Sequence, residues 1–221
     1  MGSRIHTVIF DMDGTLSDSA VLTEAAFRLI APGQGLPVPS EDAIRRVMGN
    51  ATPEFYYMLF PGFPRDVINE TGKLVDEEEL RILPSFGDRL LFPGCRELLV
   101  RLKENKIRLY LASTGAEAHV SSVLGGTGII DLFEKISCGR PNKTGMLGEM
   151  VQGGDREGYV MVGDMQKDHE GARANGIVSV GACYGYCKRE LTDFDYYIDA
   201  PLELLEIIHL ENPQTKKNPD L

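Results

Sequence analysis

The stretch TVIFDMDGTL, residues 7 to 16, decides the prediction of the fold. Its first four residues are apolar or β-branched, as in a buried strand. Asp11 and Asp13 come directly after it, and Gly14 permits a tight turn. Residues i and i+2 of an extended strand point the same way, so we expect the two carboxylates to lie together. Either the segment is a solvated acidic turn, or a hard cation such as Mg²⁺ relieves the repulsion.

Four further β-type runs occur along the chain, and polar turns and helix-like stretches separate them. They span residues 107–112, 159–162, 178–181 and 196–198. Strands that alternate with helices predict an α/β fold, here a Rossmann-like parallel sheet core with helices on both faces. In such sheets functional groups gather at the carboxyl ends of the strands, which is where the acidic pairs fall.

The segment from residue 17 to residue 88 breaks the alternation. It contains four helix-like stretches, separated by proline and glycine, at residues 22–30, 41–48, 53–59 and 65–83. We therefore expect an inserted small α-helical cap domain at residues 17–88, within a catalytic core of residues 1–16 and 89–211. The polar end, residues 212–221, is predicted to be a disordered tail.

Composition excludes several classes of function. The chain has 23 Lys+Arg against 33 Asp+Glu, a net charge of −10, which disfavours nucleic acid and anionic membrane as partners. Its apolar runs are shorter than a membrane span, and no secretory signal opens it, so a cytoplasmic location is the default expectation. The cysteines complete no zinc set, and the histidines form no constellation (Cys95, Cys138, Cys183, Cys187; His6, His119, His169, His209).

Hydroxyl and cationic side chains come after the second strand. Ser113 ends that strand, and Thr114 and Gly115 continue into a helix start, a pattern that suits phosphate binding but also an ordinary helix N-cap. Lys143 lies on a predicted loop before a helix pattern at residues 146–151, where it could neutralise a phosphoryl group. Arg140 and Lys135 compete with it for that role, and a surface lysine is the alternative interpretation.

A second acidic pair comes after the third strand. Asp164 ends that strand as Asp11 ends the first, and Gly163 leaves room beside it. We expect Asp164 to face the same cation as Asp11 and Asp168 to hold Lys143. An acidic turn at a strand end is again the alternative.

Taken together, DMDGTL, Ser113, Lys143 and GDMQKD with the adjoining GARANG resemble the motifs of the haloacid dehalogenase superfamily, in its phosphoglycolate phosphatase-like and β-phosphoglucomutase-like subfamily. The resemblance implies that Asp11 is the nucleophile, that Asp13 is the general acid and base, and that Ser113, Lys143 and Asp168 assist. It implies Mg²⁺ held by the Asp11 carboxylate, the Asp13 backbone carbonyl and Asp164. The expected phosphate contacts are Gly14, Thr15, Ser113, Thr114, Gly115 and Lys143.

The implied reaction is hydrolysis of a small phosphorylated metabolite through an aspartyl-phosphate. Phosphoglycolate is the first candidate, and a sugar phosphate or a nucleoside monophosphate comes next. Arg45 and Arg46 could bind a substrate carboxylate or distal phosphate, or could simply form a solvated helix face.

Two alternatives stay open. A β-phosphoglucomutase-type mutase would have a cap histidine where this chain has Thr23, and a glutamate where it has Gly163. A receiver-like phosphorylation switch would carry its acceptor aspartate on a middle strand and would lack the helical insert. The sequence leaves the oligomeric state open.

Overall fold

Six parallel strands form one sheet in the order β3-β2-β1-β4-β5-β6. The computed structural model describes residues 5–50, 52–151, 155–186 and 191–209, so the predicted tail and Cys187 lie outside the described residues. The strands are β1 (Thr7–Phe10), β2 (Arg108–Ala112), β3 (Lys135–Ser137), β4 (Tyr159–Gly163), β5 (Val178–Ala182) and β6 (Tyr196–Ile198).

Strand β1 lies in the middle of the sheet and is buried on both faces. Val8 pairs with Leu109 of β2 on one side and with Val160 of β4 on the other. Alternate side chains of β1 enter different apolar clusters: Val8 and Phe10 belong to the larger one, and Ile9 belongs to a second. A four-residue run of apolar or β-branched residues is therefore what a central parallel strand requires.

Helices cover both faces of the sheet, so the predicted α/β class is confirmed. Leu147 and Ala172 pack with Ile9 on one face, and Leu98, Val120 and Leu204 pack with Val8 on the other. These residues lie on five helices, α5 (Cys95–Glu104), α6 (Glu117–Gly126), α7 (Lys143–Met150), α8 (Gln166–Asn175) and α9 (Leu204–His209).

Four further helices lie between β1 and α5 and have an apolar core of their own. They are α1 (Ser19–Ile30), α2 (Glu41–Val47), α3 (Glu54–Leu59) and α4 (Arg65–Ile82). Phe27, Ile44 and Phe60 lie in this separate core, whereas Ile82 contacts both it and the larger sheet cluster. We keep the name cap for α1–α4; the exact division at residues 17 and 88 stays a prediction.

The chain enters and leaves the cap at neighbouring points. Ser17 and Leu91 form an antiparallel bridge, and the Asp18 N–H donates to the Leu90 carbonyl at 2.7 Å. The Phe92 N–H donates to the Leu16 carbonyl at 3.0 Å. Two adjacent chain segments therefore join the cap to the sheet.

Strand β3 was not predicted from the sequence. Its three residues, Lys135–Ser137, are exposed or half-buried at the edge of the sheet, so they show no continuous apolar run. Among the described residues, no helix combines the length and the apolar character that crossing a bilayer requires.

Candidate active site

The carboxyl ends of β1, β2 and β4 bring three buried polar residues to one edge of the sheet. Asp11 comes after β1, Ser113 after β2, and Asp164 after β4. Since β1 lies between β2 and β4, Asp11 is at the centre of this group. The arrangement results from the parallel sheet, which gathers strand ends on one side.

The expectation that Asp11 and Asp13 share one face of an extended strand is wrong. Strand β1 ends at Phe10, and Asp13 lies in the next turn, where it bridges to Ser17. Its Oδ1 accepts hydrogen bonds from the Ser19 hydroxyl and from His119 Nε2, the latter at 3.2 Å. The turn therefore directs the two carboxylates to different partners.

Lys143 lies between Asp11 and Asp168 and is almost fully buried. Its Nζ is 2.7 Å from Asp11 Oδ1 and also donates to Asp168 Oδ1. The predicted loop position of Lys143 is wrong, because α7 begins at this residue; Asn142 caps the helix by accepting from the Gly145 N–H at 3.4 Å. The helix start fixes the lysine backbone beside the strand ends.

The two competing cations lie elsewhere. Arg140 is paired with exposed Glu149, with 2.7 Å between Nη1 and Oε1. Lys135 is exposed, and its Nζ is 5.2 Å from the centre of the Tyr110 ring. Of these three cations, only Lys143 contacts the strand-end aspartates.

Asp168 is held in place by α8 as well as by Lys143. Its Oδ2 accepts from the Met165 N–H at 3.0 Å, at the residue that precedes the helix. Asp168 is fully buried. It therefore fixes the position of Lys143 from the opposite side of Asp11.

Asp164 is fully buried and accepts two hydrogen bonds from neighbouring loops. Its Oδ1 accepts from the Thr15 hydroxyl at 3.1 Å, and its Oδ2 accepts from the Tyr186 N–H at 2.9 Å. Gly14 has φ +84°, and a Cβ there would overlap the Asp164 carboxylate. Only glycine suits this turn, because it both permits the positive φ and lets the backbone approach Asp164.

Burial and like charges raise the pKa of two of these carboxyls. Burial raises the pKa of Asp11 to about 6, although the Lys143 charge works against the shift. Burial, and then the Asp11 charge, raises the pKa of Asp164 to about 8. Burial alone would lower the pKa of Lys143, but Asp11 and Asp168 outweigh it and raise that pKa.

The residues fit a hard divalent cation. Oxygens of Asp11, Asp164 and Asp168 lie within 4.8 Å of one another, and carboxylate oxygen is the ligand that Mg²⁺ prefers. Asp168 is paired with Lys143, whereas Asp164 accepts from two neutral donors, the Thr15 hydroxyl and the Tyr186 N–H. We therefore keep Asp11 and Asp164 as the predicted carboxylate ligands of the ion. The contribution of the Asp13 backbone carbonyl stays a prediction.

The predicted phosphate-binding hydroxyls have protein partners. Ser113 Oγ accepts from the Gly115 N–H at 3.1 Å and is buried. The Thr15 hydroxyl donates to Asp164, and the Thr114 hydroxyl donates to the Gly49 carbonyl of the cap at 3.0 Å. Ser113 keeps its own hydroxyl hydrogen for another acceptor, whereas Thr15 and Thr114 already use theirs.

Neither of the two predicted cap arginines has a described contact with the strand-end aspartates. Arg45 Nη2 lies 2.8 Å from Asp18 Oδ2 and 3.0 Å from Glu41 Oε2. Arg46 is exposed on the same helix. Their proposed contact with the substrate stays a prediction.

Sequence reasoning missed His119, which contacts two buried carboxylates. His119 lies on α6, with Nε2 at 3.2 Å from Asp13 Oδ1 and Nδ1 at 3.2 Å from Glu79 Oε2 of the cap. Glu79 also accepts from the Thr23 hydroxyl. Burial opposes protonation of the imidazole, but Asp13 and Glu79 outweigh it and raise the pKa of His119 well above its usual value.

Lys167 was missed as well, although it stands directly before Asp168 in the sequence. Its Nζ donates to the Gly49 carbonyl and, at 3.0 Å, to Thr114 Oγ1. Burial, and then the Lys143 charge, lowers the pKa of Lys167. The lysine joins the core at α8 to the cap at Gly49.

The family model for haloacid dehalogenase-like hydrolases matches residues 8–182 of the chain. The chain belongs to this family. The phosphoglycolate phosphatase of Synechococcus elongatus is 27% identical over 223 residues, which cover 92% of this chain and 97% of that protein. The tyrosine-protein kinase PtkA of Mycobacterium bovis is 29% identical over 204 residues, 87% of this chain and 67% of that protein.

A solved structure shares the same fold. The crystal structure of a protein from Haemophilus somnus, described as a predicted phosphoglycolate phosphatase, superposes with a TM-score of 0.77. The superposition covers 93% of this chain and 98% of the Haemophilus somnus chain, at 21% sequence identity. This structure shows the fold, whereas the family model and the Synechococcus relative show a haloacid dehalogenase-like hydrolase that is similar to phosphoglycolate phosphatases, so the predicted phosphatase class is confirmed.

Proposed function

We propose that this haloacid dehalogenase-like phosphatase hydrolyses a small phosphomonoester through an aspartyl-phosphate on Asp11, with Mg²⁺ as its cofactor. The observation that carries the proposal is the buried group formed by Asp11, Lys143, Asp168 and Asp164 at the strand ends. A bound Mg²⁺ ion would neutralise phosphate charge and reduce repulsion between the phosphate and Asp11. Asp11 and Asp164 are the carboxylates that would hold it.

In the first step an Asp11 oxygen attacks the phosphorus. The bond from that oxygen to phosphorus forms, and the bond from phosphorus to the ester oxygen breaks. Lys143 and the Met12 N–H both bind Oδ1 of Asp11, at 2.7 and 2.8 Å, so Oδ2 is the oxygen that we assign to the attack. The same lysine offers positive charge beside the transferred phosphoryl group.

Asp13 would move the protons. In the first step the leaving alkoxide takes a proton from the Asp13 carboxyl, and in the second step a water gives its proton to Asp13 while attacking the phosphorus. The Asp11–phosphorus bond then breaks and inorganic phosphate leaves. Burial works to raise the pKa of Asp13, but His119 and Ser19 outweigh it and lower that pKa, so the free protein carries the base form. His119 Nε2–H, on Asp13 Oδ1, would give Asp13 the proton that the alkoxide takes in the first step, and His119 would regain a proton through Asp13 from the water of the second step.

The residue at position 23 favours hydrolysis over the mutase alternative. The mutase resemblance requires a histidine at this position, whereas the Thr23 hydroxyl donates to Glu79. A mutase would return the phosphoryl group to a sugar, and a receiver-like switch would hold it without turnover. The three functions therefore differ in their products.

The experiment measures phosphate release from a panel of small phosphomonoesters, with and without Mg²⁺. We expect Mg²⁺-dependent turnover by the wild type and its loss in Asp11→Asn, because the amide is a poor nucleophile. Asp131→Asn is the matched control, since Asp131 is exposed and lies before the amino end of β3, whereas the proposed site is at the carboxyl ends of the strands. Well-folded, Mg²⁺-loaded protein that releases phosphate from no ester would overturn the proposal.

A further inference from the structure

A cleft runs between cap helices α1 and α4 and core helix α6. Asp13 lines it and is buried, whereas Asp76 and Leu80, which also line it, are exposed. The cleft therefore leads from the surface to the residue to which we assign the proton transfers. Its volume is about 130 Å³, room for roughly four water molecules or for one small organic group.

Ionisable groups in this cleft are mostly acidic. Among the described residues that line it, the carboxyl and imidazole groups are those of Asp13, Asp76, Glu79 and His119, with no arginine and no lysine. Three carboxylates thus face one imidazole. An anionic group in the cleft would meet net negative charge.

The one cation in the described lining of the cleft is already used. His119 donates from Nε2 to Asp13 and from Nδ1 to Glu79, both at 3.2 Å, so neither ring nitrogen is left for a ligand carboxylate. The Tyr56 hydroxyl likewise donates to Asp76. Apolar side chains form much of the remaining wall: Leu22, Met48, Phe55, Leu83 and Val123.

The cations near the strand ends lie outside the described lining of the cleft. Lys143 contacts Asp11 and Asp168, and Lys167 contacts Thr114 and the carbonyl of Gly49, one of the residues that line the cleft. Lys73 lines an adjoining depression that shares Asp76 and Leu80 with the cleft, but it does not line the cleft itself. Positive charge thus lies where the phosphoryl group would be, and negative charge lies where the leaving group would be.

We infer that the cleft receives the alcohol portion of the phosphomonoester and selects an alcohol without a negative charge, whose far end is neutral or carries an ammonium group near Asp76. This inference rests on the proposed phosphatase function and deepens it. It disfavours esters whose alcohol carries a carboxylate or a second phosphate, including phosphoglycolate, the first candidate from the sequence. The physical cause is the cost of placing an unpaired anion in a partly buried acidic cleft.

The experiment compares kcat/KM for three esters of similar size in the presence of Mg²⁺. These are 2-hydroxyethyl phosphate, phosphoethanolamine and 2-phosphoglycolate, with p-nitrophenyl phosphate as the reporter of phosphatase activity. We expect the neutral and ammonium esters to exceed the carboxylate ester by at least about tenfold, which corresponds to about 1.4 kcal/mol.

Two results would overturn the charge selection. One is 2-phosphoglycolate turned over as efficiently as the neutral ester, and the other is turnover of p-nitrophenyl phosphate with none of the three small esters accepted. Failure to hydrolyse p-nitrophenyl phosphate as well would instead overturn the phosphatase proposal. The two failures are therefore distinguishable.

A pair of variants tests the role of Asp76 in the charge selection. Asp76→Asn removes one charge from the cleft, and we expect the ratio of kcat/KM for the neutral ester to that for the carboxylate ester to fall severalfold. Glu70→Gln removes one charge from an exposed position on the same helix, outside the described lining of the cleft, and should leave the ratio unchanged. An unchanged ratio in Asp76→Asn, or equal changes in both variants, would overturn the assignment.

Discussion

Asp164 has the environment that most requires an added cation. It is fully buried and accepts hydrogen bonds only from the neutral Thr15 hydroxyl and Tyr186 N–H among its contacts in the described chain. Burial and the Asp11 charge raise its pKa to about 8. The unfolded chain loses this proton near its ordinary pKa of about 4. Ionisation therefore costs folding stability progressively as the pH rises from about 4 to about 8.

Replacement of Asp164 by asparagine should remove both this pH dependence and the response to Mg²⁺. We expect wild-type protein without Mg²⁺ to lose more stability between pH 5 and about pH 9 than Asp164→Asn does, because only the wild type ionises this group. Saturating Mg²⁺, at about 100 times its Kd, should stabilise the wild type by about 2.7 kcal/mol. Thermal unfolding at several pH values, with and without Mg²⁺, measures both effects. Equal Mg²⁺ stabilisation of the two proteins would contradict the assignment of Asp164 as a ligand.

At the scale of single residues, sequence reasoning finds the side chains that stand at the ends of strands. Asp11 and Asp164 were located because each comes directly after a β-type run, and the parallel sheet brings those ends together. His119 was missed because its partners, Asp13 and Glu79, are distant in sequence and meet only where the cap packs on α6. A lone histidine on a helix carries no local signal of such contacts.

Helix α7 places a buried lysine in contact with two buried carboxylates. The helix begins at Lys143, whose Nζ contacts Asp11 and Asp168. Those charges raise the lysine pKa, so above the pKa of Asp11 the favourable contribution is present up to the ordinary lysine pKa and is lost as the pH rises through the higher folded value.

Lys143→Met should destabilise the protein by about 3–5 kcal/mol, because it leaves buried carboxylates without their cation. The loss should grow as the pH rises through neutrality, since Asp11, with a pKa already raised to about 6, would be protonated at low pH and unpaired at high pH. Urea unfolding from pH 5 to about pH 8 measures the effect. Lys73→Met, at an exposed position on α4, is the control and should change stability by less than about 0.5 kcal/mol. A pH-independent loss would show that packing, rather than charge, is what Lys143 supplies.

At the scale of elements, sequence reasoning missed strand β3 and misplaced the start of α7, because pairing and capping contacts determine both. The central strands carry apolar runs and were predicted, whereas β3 has exposed or half-buried residues without such a run and is recognised as a strand by its pairing with β2. The start of α7 was placed three residues too late, because Gly145 interrupts the helical pattern that the Asn142 cap in fact initiates.

At the scale of the whole molecule, a few polar contacts around the site join the cap to the core. Lys167 donates to the Gly49 carbonyl and to Thr114, and Thr114 itself donates to Gly49. On the far side of Asp13, His119 contacts Glu79 of the cap. These contacts close the cap over the strand ends.

Lys167→Met should loosen the cap without unfolding the core. A hydrogen bond from a charged group contributes about 1.5–3 kcal/mol, so we expect amide exchange in the segment around Gly49 and Asn50 to become faster by about tenfold or more. Hydrogen exchange measured by mass spectrometry checks this. Lys103→Met is the control, because Lys103 pairs with Glu134 within the core, at 3.2 Å. Equal exchange rates in both variants would show that Lys167 does not hold the cap.

The central position of β1 has a consequence for the newly made chain. A ribosome synthesises β1 before its two neighbours in the sheet, β2 and β4, which emerge about one hundred and about one hundred and fifty residues later. The cap helices, with an apolar core of their own, emerge in between and are free to collapse early. The proposed nucleophile, Asp11, is thus translated long before Asp164 and Asp168, and the site can assemble only after those two residues leave the exit tunnel. A nascent chain that stops before Asp164 would carry Asp11 without the rest of the site.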